Sequence, residues 1–270
     1  MTSKPPAACC STGYEHSGTT TGTLIQIPDT TISAYLATPP SSGAATGTSP
    51  KPKDHAILFI PDILGMHKNN LLLADRFASA GYLTLVVDIY NGDPFPLHKP
   101  FADLEPTDDH TRDWAAKGSD GKNPHTIAEI DPIVRSAIAY LRSEHHGITR
   151  IGAVGYCVGV KYVVRFLDAG KGKIDVGFGA HPSYVTEQEL WDMRGPLSIA
   201  AAGERDLIFT NELRHQTEEI LRKKGEVWSI ALYSGVAHGF AVRGNPEGKE
   251  DRWAMDEAFV QAVRFFGTWL

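Results

Sequence analysis

Cysteine is scarce in this sequence, with 3 residues in 270, and Cys9 and Cys10 are adjacent. Together with Cys157 they form neither the spaced, even-numbered set of a disulfide framework nor the C-x-x-C spacing of a zinc site. We therefore expect free thiols, a cytoplasmic location in a reducing compartment, and no metal. The adjacent pair near the N-terminus is interpreted as two idle thiols.

Other absences narrow the class of partner. The sequence has no cluster of basic residues and a formal net charge of −6, which argues against nucleic acid or an anionic membrane surface as the main partner. No apolar run is long enough to cross a bilayer, and the first residues lack the apolar core of a secretory signal. We expect a soluble protein that acts on a small molecule; its oligomeric state is not predicted.

Hydrophobic residues make up 42% of the chain, enough for the core of one large domain spanning residues 1–270. Apolar runs alternate with helical patterns, which predicts an α/β fold: a mostly parallel central sheet of about eight strands with helices on both faces. The predicted strands are 23–27, 32–37, 55–60, 82–87, 148–154, 174–180, 197–202 and 226–233. The predicted helices are 69–80, 127–146, 160–167, 211–224 and 252–269.

The segments outside these strands and helices differ from them in composition. Residues 1–22 are rich in Ser, Thr, Gly and Pro and are predicted to form an extended N-terminal segment. The first two strands flank a proline–aspartate turn, which predicts an antiparallel hairpin. Residues 39–53 have few bulky side chains and are predicted to be an exposed loop. Residues 88–125 are proline-rich and irregular, and we expect this long loop to form a wall or lid near the active site.

The sequence IGAVGYCVG, residues 151–159, carries the clearest chemical signal. A β-branched run leads into Gly155 and Cys157, and a helical pattern follows Gly159, so the cysteine lies where a strand turns into a helix. This pattern is typical of a nucleophile elbow, whose flanking positions must be small. The helix N-terminus favours the thiolate, and the N–H of Val158 can point at a developing oxyanion. Taken alone, the pattern also fits a buried structural cysteine.

Two further reactive residues follow the next predicted strands. Asp206 comes after the strand that ends at residue 202, and His238 comes after the strand that ends at residue 233. In a parallel sheet such positions meet at the carboxyl edge, and the order nucleophile, acid, histidine is the one the α/β-hydrolase architecture requires. A lone Asp is usually a turn former and a lone His is usually solvated. Three suitable residues at three expected strand ends favour a catalytic triad.

The chain resembles the dienelactone hydrolase family, of the fungal type, from about Cys9 to the C-terminus. The motifs that carry the resemblance are GYCVG around Cys157, AHPSYV at 180–185, PLSIAAAGERD ending at Asp206, and AHGFAVRG around His238. The resemblance implies a Cys-Asp-His triad that opens lactones or cleaves related activated esters through a thioester, with no cofactor.

The resemblance also implies roles for residues outside the triad. Asp62 occupies the place of an acidic residue that contacts the resting cysteine and controls its ionisation. The N–H of Ile63 completes the oxyanion hole with that of Val158. Arg243 matches an arginine that holds a substrate carboxylate, one residue further along than in the bacterial pattern. The second such arginine, expected after Tyr90, has no counterpart.

Three more residues are candidates for the wall of a substrate pocket. His181 follows a strand end and can line the pocket, or it can be a structural histidine that caps a loop. Tyr90 and Trp114 can contact substrate, or they can pack in the core. Both interpretations remain open at the level of the sequence.

Two other functions compete with the hydrolase. A small-molecule binding or scaffolding protein with the same fold is suggested by the missing arginine and by Val160, which replaces a common glycine after the elbow. An oxidoreductase on a dinucleotide-binding fold is disfavoured because residues 61–68, the first strand–helix turn, lack the G-x-G-x-x-G pattern.

Overall fold

A central β-sheet organises the protein, whose structure is a computed structural model. The structure describes residues 1–40, 54–95, 108–143, 147–168, 170 and 174–270, with the backbone alone for residues 108 and 109. Within this part the strands are β1 (Thr23–Gln26), β2 (Ser33–Ala37), β3 (His55–Ile60), β4 (Leu83–Val87), β5 (Arg150–Tyr156), β6 (Val176–Ala180), β7 (Leu197–Ala202) and β8 (Trp228–Tyr233).

The strands form one sheet in the order β1-β2-β4-β3-β5-β6-β7-β8. β1 pairs antiparallel with β2, and β2 pairs antiparallel with β4. All the other neighbouring strands are parallel. The structure thus confirms the predicted hairpin and the mostly parallel sheet of eight strands.

The helices of the described residues are α1 (Lys68–Ser79), α2 (Asp108–Lys117), α3 (Ile127–Arg142), α4 (Gly159–Phe166), α5 (Glu187–Asp192), α6 (Asn211–Lys224), α7 (Phe240–Arg243) and α8 (Lys249–Trp269). The start of α3 is fixed by the hydroxyl of Thr126, which accepts the N–H of Ala128, and α6 ends at Gly225 in the left-handed conformation. In the described part of the chain, none of these helices has both the length and the apolarity to cross a membrane.

Two buried clusters lie on opposite faces of the sheet. The alternating side chains of β3 divide between them: Leu58 and Ile60 belong to the cluster that contains α3, α4 and α6, whereas Ile57 and Phe59 belong to the cluster that contains α1 and α8. Because apolar side chains leave the strand on both faces, both faces are covered by helices, as predicted.

Several predicted boundaries need correction. The stretch 88–125 is not irregular throughout, because α2 lies inside it. α5 and α7 were not predicted: both are short, and a helix of one or two turns leaves little periodic signal. Residues 41–53, most of the predicted exposed loop, and residues 96–107 lie outside the described part.

The N-terminal segment runs along the carboxyl edge of the parallel strands. The N–H of Lys4 donates to the carbonyl of Ile208, at 3.0 Å, on one side of the edge. The N–H of Tyr14 donates to the carbonyl of Arg243, at 3.0 Å, on the other side. Between these anchors lies a 3-10 turn, Ala8–Ser11, in which Cys10 is fully buried. The predicted extended segment therefore covers the edge at which the triad residues were expected to meet.

Candidate active site

The backbone at Cys157 has the strained geometry of a nucleophile elbow. Cys157 lies in the left-handed region at φ 53°, between the end of β5 at Tyr156 and the start of α4 at Gly159. A Cβ on Gly159 would stand 2.2 Å from the carbonyl oxygen of Ile60, and one on Gly155 would stand 2.6 Å from the backbone of Gly159. Only glycine allows this tight turn, so the two glycines hold the cysteine in a conformation that non-glycine residues rarely adopt.

His238 and Asp206 form a buried hydrogen-bonded pair. The Nδ1 atom of His238 lies 3.1 Å and 3.2 Å from the two carboxylate oxygens of Asp206. Asp206 Oδ1 also accepts the N–H groups of Ile208 at 2.8 Å and Phe209 at 2.9 Å. Since an ionised carboxylate only accepts, Nδ1 must carry a proton, which leaves Nε2 as the atom that can exchange one.

The two members of this pair shift each other's pKa in opposite directions. Burial by itself raises the pKa of Asp206, but the charge and hydrogen bond of His238 and the two backbone N–H groups hold it below its ordinary value. Burial by itself lowers the pKa of His238, but the charges and hydrogen bonds of Asp206 and Cys10 together outweigh burial and hold the pKa well above its ordinary value. His238 is therefore a strong base next to an ionised acid.

Cys157 lies within reach of this base. A ring nitrogen of His238 and the Sγ atom of Cys157 are within 4.8 Å of each other. The side chains of His238 and Asp206 have no exposed surface, and Cys157 is fully buried. The structure brings the three residues of the predicted triad together in a water-excluded site.

The two predicted oxyanion donors lie at the same edge of the sheet. β3 and β5 are parallel neighbours, with Ile60 paired to Gly155. Ile63 comes three residues after Ile60, and Val158 comes three residues after Gly155. Both therefore lie just past the ends of adjacent strands. Ile63 is fully buried and Val158 is 7% exposed.

Asp62 and Arg243 form a buried ion pair with each other. Arg243 Nη1 donates to Asp62 Oδ2, and Arg243 Nε donates to the carbonyl of Thr12 at 3.0 Å. The other oxygen of Asp62 accepts from the N–H of Leu64 at 3.1 Å and from Asn70 Nδ2 at 2.9 Å. Burial lowers the pKa of Arg243 to about 10, which leaves the guanidinium charged at neutral pH. Arg243, which the family resemblance predicts to bind a substrate carboxylate, is thus paired with a carboxylate of the protein.

The three candidate wall residues are buried side chains. His181 has no exposed surface, and its ring stands 5.1 Å from that of His238, measured between ring centroids. Burial, and next the charge of His238, hold the pKa of His181 well below its ordinary value, so its ring is neutral. Among the described residues neither of its ring nitrogens has a hydrogen-bond partner, so the side chain caps no described loop.

Tyr90 and Trp114 belong to an aromatic cluster. Their ring centroids are 4.9 Å apart, and His125 lies 4.5 Å from Trp114 and 5.1 Å from Tyr90. Trp114 comes from α2, and its Nε1 donates to the carbonyl of Asp93 at 3.1 Å. The cluster therefore fastens α2 beside the loop that follows β4.

Comparison with known proteins identifies the family of this chain. The model of the dienelactone hydrolase family matches residues 42–270. The chain belongs to the dienelactone hydrolase family. Like the family, the protein is a hydrolase that acts on ester bonds. Hydrolase tropI of Talaromyces stipitatus is 42% identical over 273 residues, with 100% of this chain and 99% of the relative covered. Dienlactone hydrolase 1 of Gibberella moniliformis is 31% identical over 276 residues, with 99% and 95% covered.

Solved structures share the fold of this family member. A dienelactone hydrolase from Anabaena variabilis superposes with a TM-score of 0.61 at 12% identity, covering 94% of this chain and 100% of that one. An esterase from Thermogutta terrifontis gives a TM-score of 0.62 at 14% identity, covering 92% of this chain and 94% of that one. At such identities the likeness shows an α/β-hydrolase fold and no more.

Cys10 is the residue of this hydrolase site that the sequence did not reveal. Its Sγ lies within 4.8 Å of both Cys157 Sγ and the ring nitrogen of His238, and its side chain is fully buried. Burial, and next a hydrogen bond with Cys157, raise the pKa of the Cys10 thiol. Cys10 is therefore not an idle surface thiol. No local pattern could have indicated this, because 147 residues separate it from Cys157.

A cavity of about 710 Å³ opens beside His238. Its wall includes His238 and Arg243 together with Thr12, Gly13 and Tyr14 of the N-terminal segment. The cavity is large enough for a small organic substrate. The cavity therefore brings solvent up to the segment that carries His238, whose side chain itself is fully buried.

Proposed function

We propose that the protein is a cysteine-dependent hydrolase that opens lactones or cleaves small activated esters through a thioester. The observation that carries the proposal is the meeting of Cys157, in the left-handed conformation on the elbow, with the His238–Asp206 pair. A merely structural cysteine would need neither a strained backbone nor a base beside it.

The first half of the reaction starts from a thiolate–imidazolium pair, in which His238 holds the proton of Cys157. Its raised pKa makes the imidazolium stable, and Asp206 stabilises that cation. The thiolate then attacks the carbonyl carbon, a tetrahedral intermediate forms, and the C–O bond breaks. The imidazolium gives its proton to the leaving alkoxide, which in a lactone stays attached to the acyl group. The product of this half is a thioester on Cys157.

In the second half water replaces the alcohol. His238 takes a proton from water as the oxygen attacks the thioester, and it returns that proton to the sulfur as the acid leaves. The N–H groups of Ile63 and Val158 are proposed to hold the oxyanion in both tetrahedral intermediates. Each such donor contributes roughly 3 kcal/mol to lowering the barrier.

Asp62 is proposed to control the resting thiol, as the family resemblance implies, with its own charge compensated by Arg243. The ion pair joins the turn that carries Ile63 to the helix that follows His238. Arg243 would then align the oxyanion hole with the base. Its Nη2 atom is buried and has no partner among the described residues.

His181, Tyr90 and Trp114 are proposed to form the wall of the site. His181 supports the ring of His238, and the two aromatic residues support the loop after β4. The natural substrate is proposed to be a small molecule that enters by the cavity beside His238. The proposal includes a cytoplasmic location, because all three thiols are free and a reducing compartment keeps them so.

Steady-state hydrolysis of small lactones and aryl esters tests the proposal. We expect turnover by the wild type and a loss of at least about 1,000-fold in Cys157→Ala, since removal of a triad nucleophile leaves little activity. Equal turnover by the variant would refute it. Tight binding of an acidic ligand without turnover would instead support a binding or scaffolding protein with this fold.

A further inference from the structure

Three side chains that can bind a transition metal converge where the N-terminal segment crosses the site. The Sγ atoms of Cys10 and Cys157 and a ring nitrogen of His238 lie within 4.8 Å of one another, and all three residues are buried. Tetrahedral Zn²⁺ binds sulfur at about 2.3 Å and imidazole nitrogen at about 2.0–2.1 Å, which places ligand atoms roughly 3.3–3.8 Å apart. Side-chain shifts of about 1 Å would close the trio around such an ion.

The state of His238 is a second, independent indication of a ligand. Its Nε2 atom is buried and makes no hydrogen bond of normal geometry among the described residues, although the thiol of Cys10 interacts with the ring. A buried polar atom without a partner is unfavourable, and a metal ion would satisfy it. On its other side Nδ1 is held by Asp206 at 3.1 Å. This is the carboxylate–histidine arrangement that orients metal-binding imidazoles and fixes their tautomer.

The charges of the site also suit a divalent cation. Two thiolates neutralise the charge of Zn²⁺, and the buried carboxylate of Asp206 keeps its hydrogen bonds from His238 Nδ1 and from the N–H groups of Ile208 and Phe209. The nearby charges of Asp62 and Arg243 already compensate each other. The cavity beside His238 supplies the entry path that a buried site needs.

We propose that Cys10, Cys157 and His238 bind one thiophilic divalent cation, Zn²⁺, with Asp206 holding the histidine ligand and the fourth coordination position open. Each protonated ligand loses its proton to solvent as its bond to zinc forms, and no oxidant or reductant takes part. The ligand positions 10, 157 and 238 belong to no local zinc motif, which explains why the sequence predicts no metal.

Zinc at this site blocks the proposed hydrolysis, because the ion occupies both the nucleophile and the atom that would take its proton. This consequence rests on the proposed function, whereas binding itself does not. The site would make the enzyme sensitive to free zinc and would fasten the N-terminal segment over the active site.

Binding is measured without substrate on the full chain, reduced by a phosphine in metal-free buffer. Zn²⁺ is titrated against a chromophoric chelator, and Co²⁺ is used as a spectroscopic probe. We expect one ion per chain, with the thiolate-to-cobalt charge-transfer and intense visible bands of a tetrahedral site. Cys10→Ala and Cys10→Ser should weaken zinc binding at least about 10-fold, and Asp206→Asn should weaken it about 10- to 100-fold.

Cys9→Ala is the matched control, because Cys9 is the adjacent thiol but is not part of the trio. It should keep the wild-type affinity and the cobalt spectrum. Circular dichroism of each variant establishes that it is folded. Equal zinc affinity in wild type and both folded Cys10 variants, or no one-to-one binding by the wild type, would overturn the proposal. Zinc binding without any hydrolytic activity would retain the site and count against the proposed function alone.

Discussion

The guanidinium of Arg243 and the carboxylate of Asp62 form a buried ion pair across 181 residues of sequence. Both side chains are almost wholly withdrawn from water, with exposures of 1% and 0%. Arg243 also donates to the carbonyl of Thr12, so one arginine ties the turn after β3 and the N-terminal segment to the end of α7. The pair therefore connects the parts of the chain that enclose Cys157.

Arg243→Ala should lower stability and lower activity on every substrate. Loss of one partner leaves Asp62 as an uncompensated buried charge, which costs about 3–5 kcal/mol of unfolding free energy. Urea denaturation measures this loss, and kcat/KM should fall by a similar factor for a carboxylate-bearing lactone and for a neutral aryl ester.

Arg205→Ala is the control for this experiment, because Arg205 lines the same cavity but its hydrogen bond to Gly235 is exposed. We expect it to change stability by less than about 0.5 kcal/mol. A selective loss on the carboxylate-bearing lactone, with stability kept, would instead support the expectation from sequence that Arg243 holds a substrate carboxylate.

The Asp206–His238 pair predicts a pH window for stability. The pKa of Asp206 in the folded protein lies below its ordinary value of 3.8. Asp206 therefore stabilises the fold at pH values above 3.8, and this contribution is lost as the pH falls through the folded-state pKa. The pKa of His238 in the folded protein lies well above its ordinary value of 6.5. His238 therefore stabilises the fold fully at pH values below 6.5, and this contribution is lost as the pH rises through the folded-state pKa.

The unfolding free energy of wild type minus that of Asp206→Asn should therefore be largest between about pH 4 and pH 6.5 and should shrink on both sides. Denaturation curves at a series of pH values measure this difference. A difference that rises steadily from pH 6.5 to pH 9 would contradict the assignment of a raised pKa to His238. Activity of the variant should fall by about 100-fold or more, because the tautomer is no longer fixed.

Much of the fold, and the proximity of Cys157, Asp206 and His238, follow from the sequence because they depend on local patterns. β3, β7 and α6 have the predicted bounds, since each is a complete apolar run or a helical pattern with clear ends. The proximity of the three residues follows from the order of strand ends. Cys10 and the Arg243–Asp62 pair depend on how an aperiodic N-terminal segment docks on the finished sheet. That docking has no periodic signal, so the sequence leaves both unpredicted.

Gly159→Ala should disrupt the elbow. The new Cβ would meet the backbone oxygen of Ile60 at 2.2 Å, and this backbone cannot move aside easily because Ile60 ends a strand of the central sheet. We expect a loss of about 1–3 kcal/mol in unfolding free energy and a fall in kcat that exceeds the change in KM. Gly248→Ala is the matched control, since its nearest neighbour would be Asn245 Cβ at an ordinary 3.4 Å. Equal effects of the two substitutions would show that the elbow does not require glycine.

Cys157 is the proposed nucleophile, and the most direct test is to find the acyl group on its sulfur. The wild type is mixed with an excess of an activated aryl ester, quenched in acid within milliseconds, digested and analysed by mass spectrometry. The chain has three cysteines, so Cys9 and Cys10 serve as internal controls. We predict a thioester adduct on the peptide that contains Cys157, and no adduct in Cys157→Ala. An adduct on Cys10 with none on Cys157, or turnover with no adduct on any cysteine, would contradict the account.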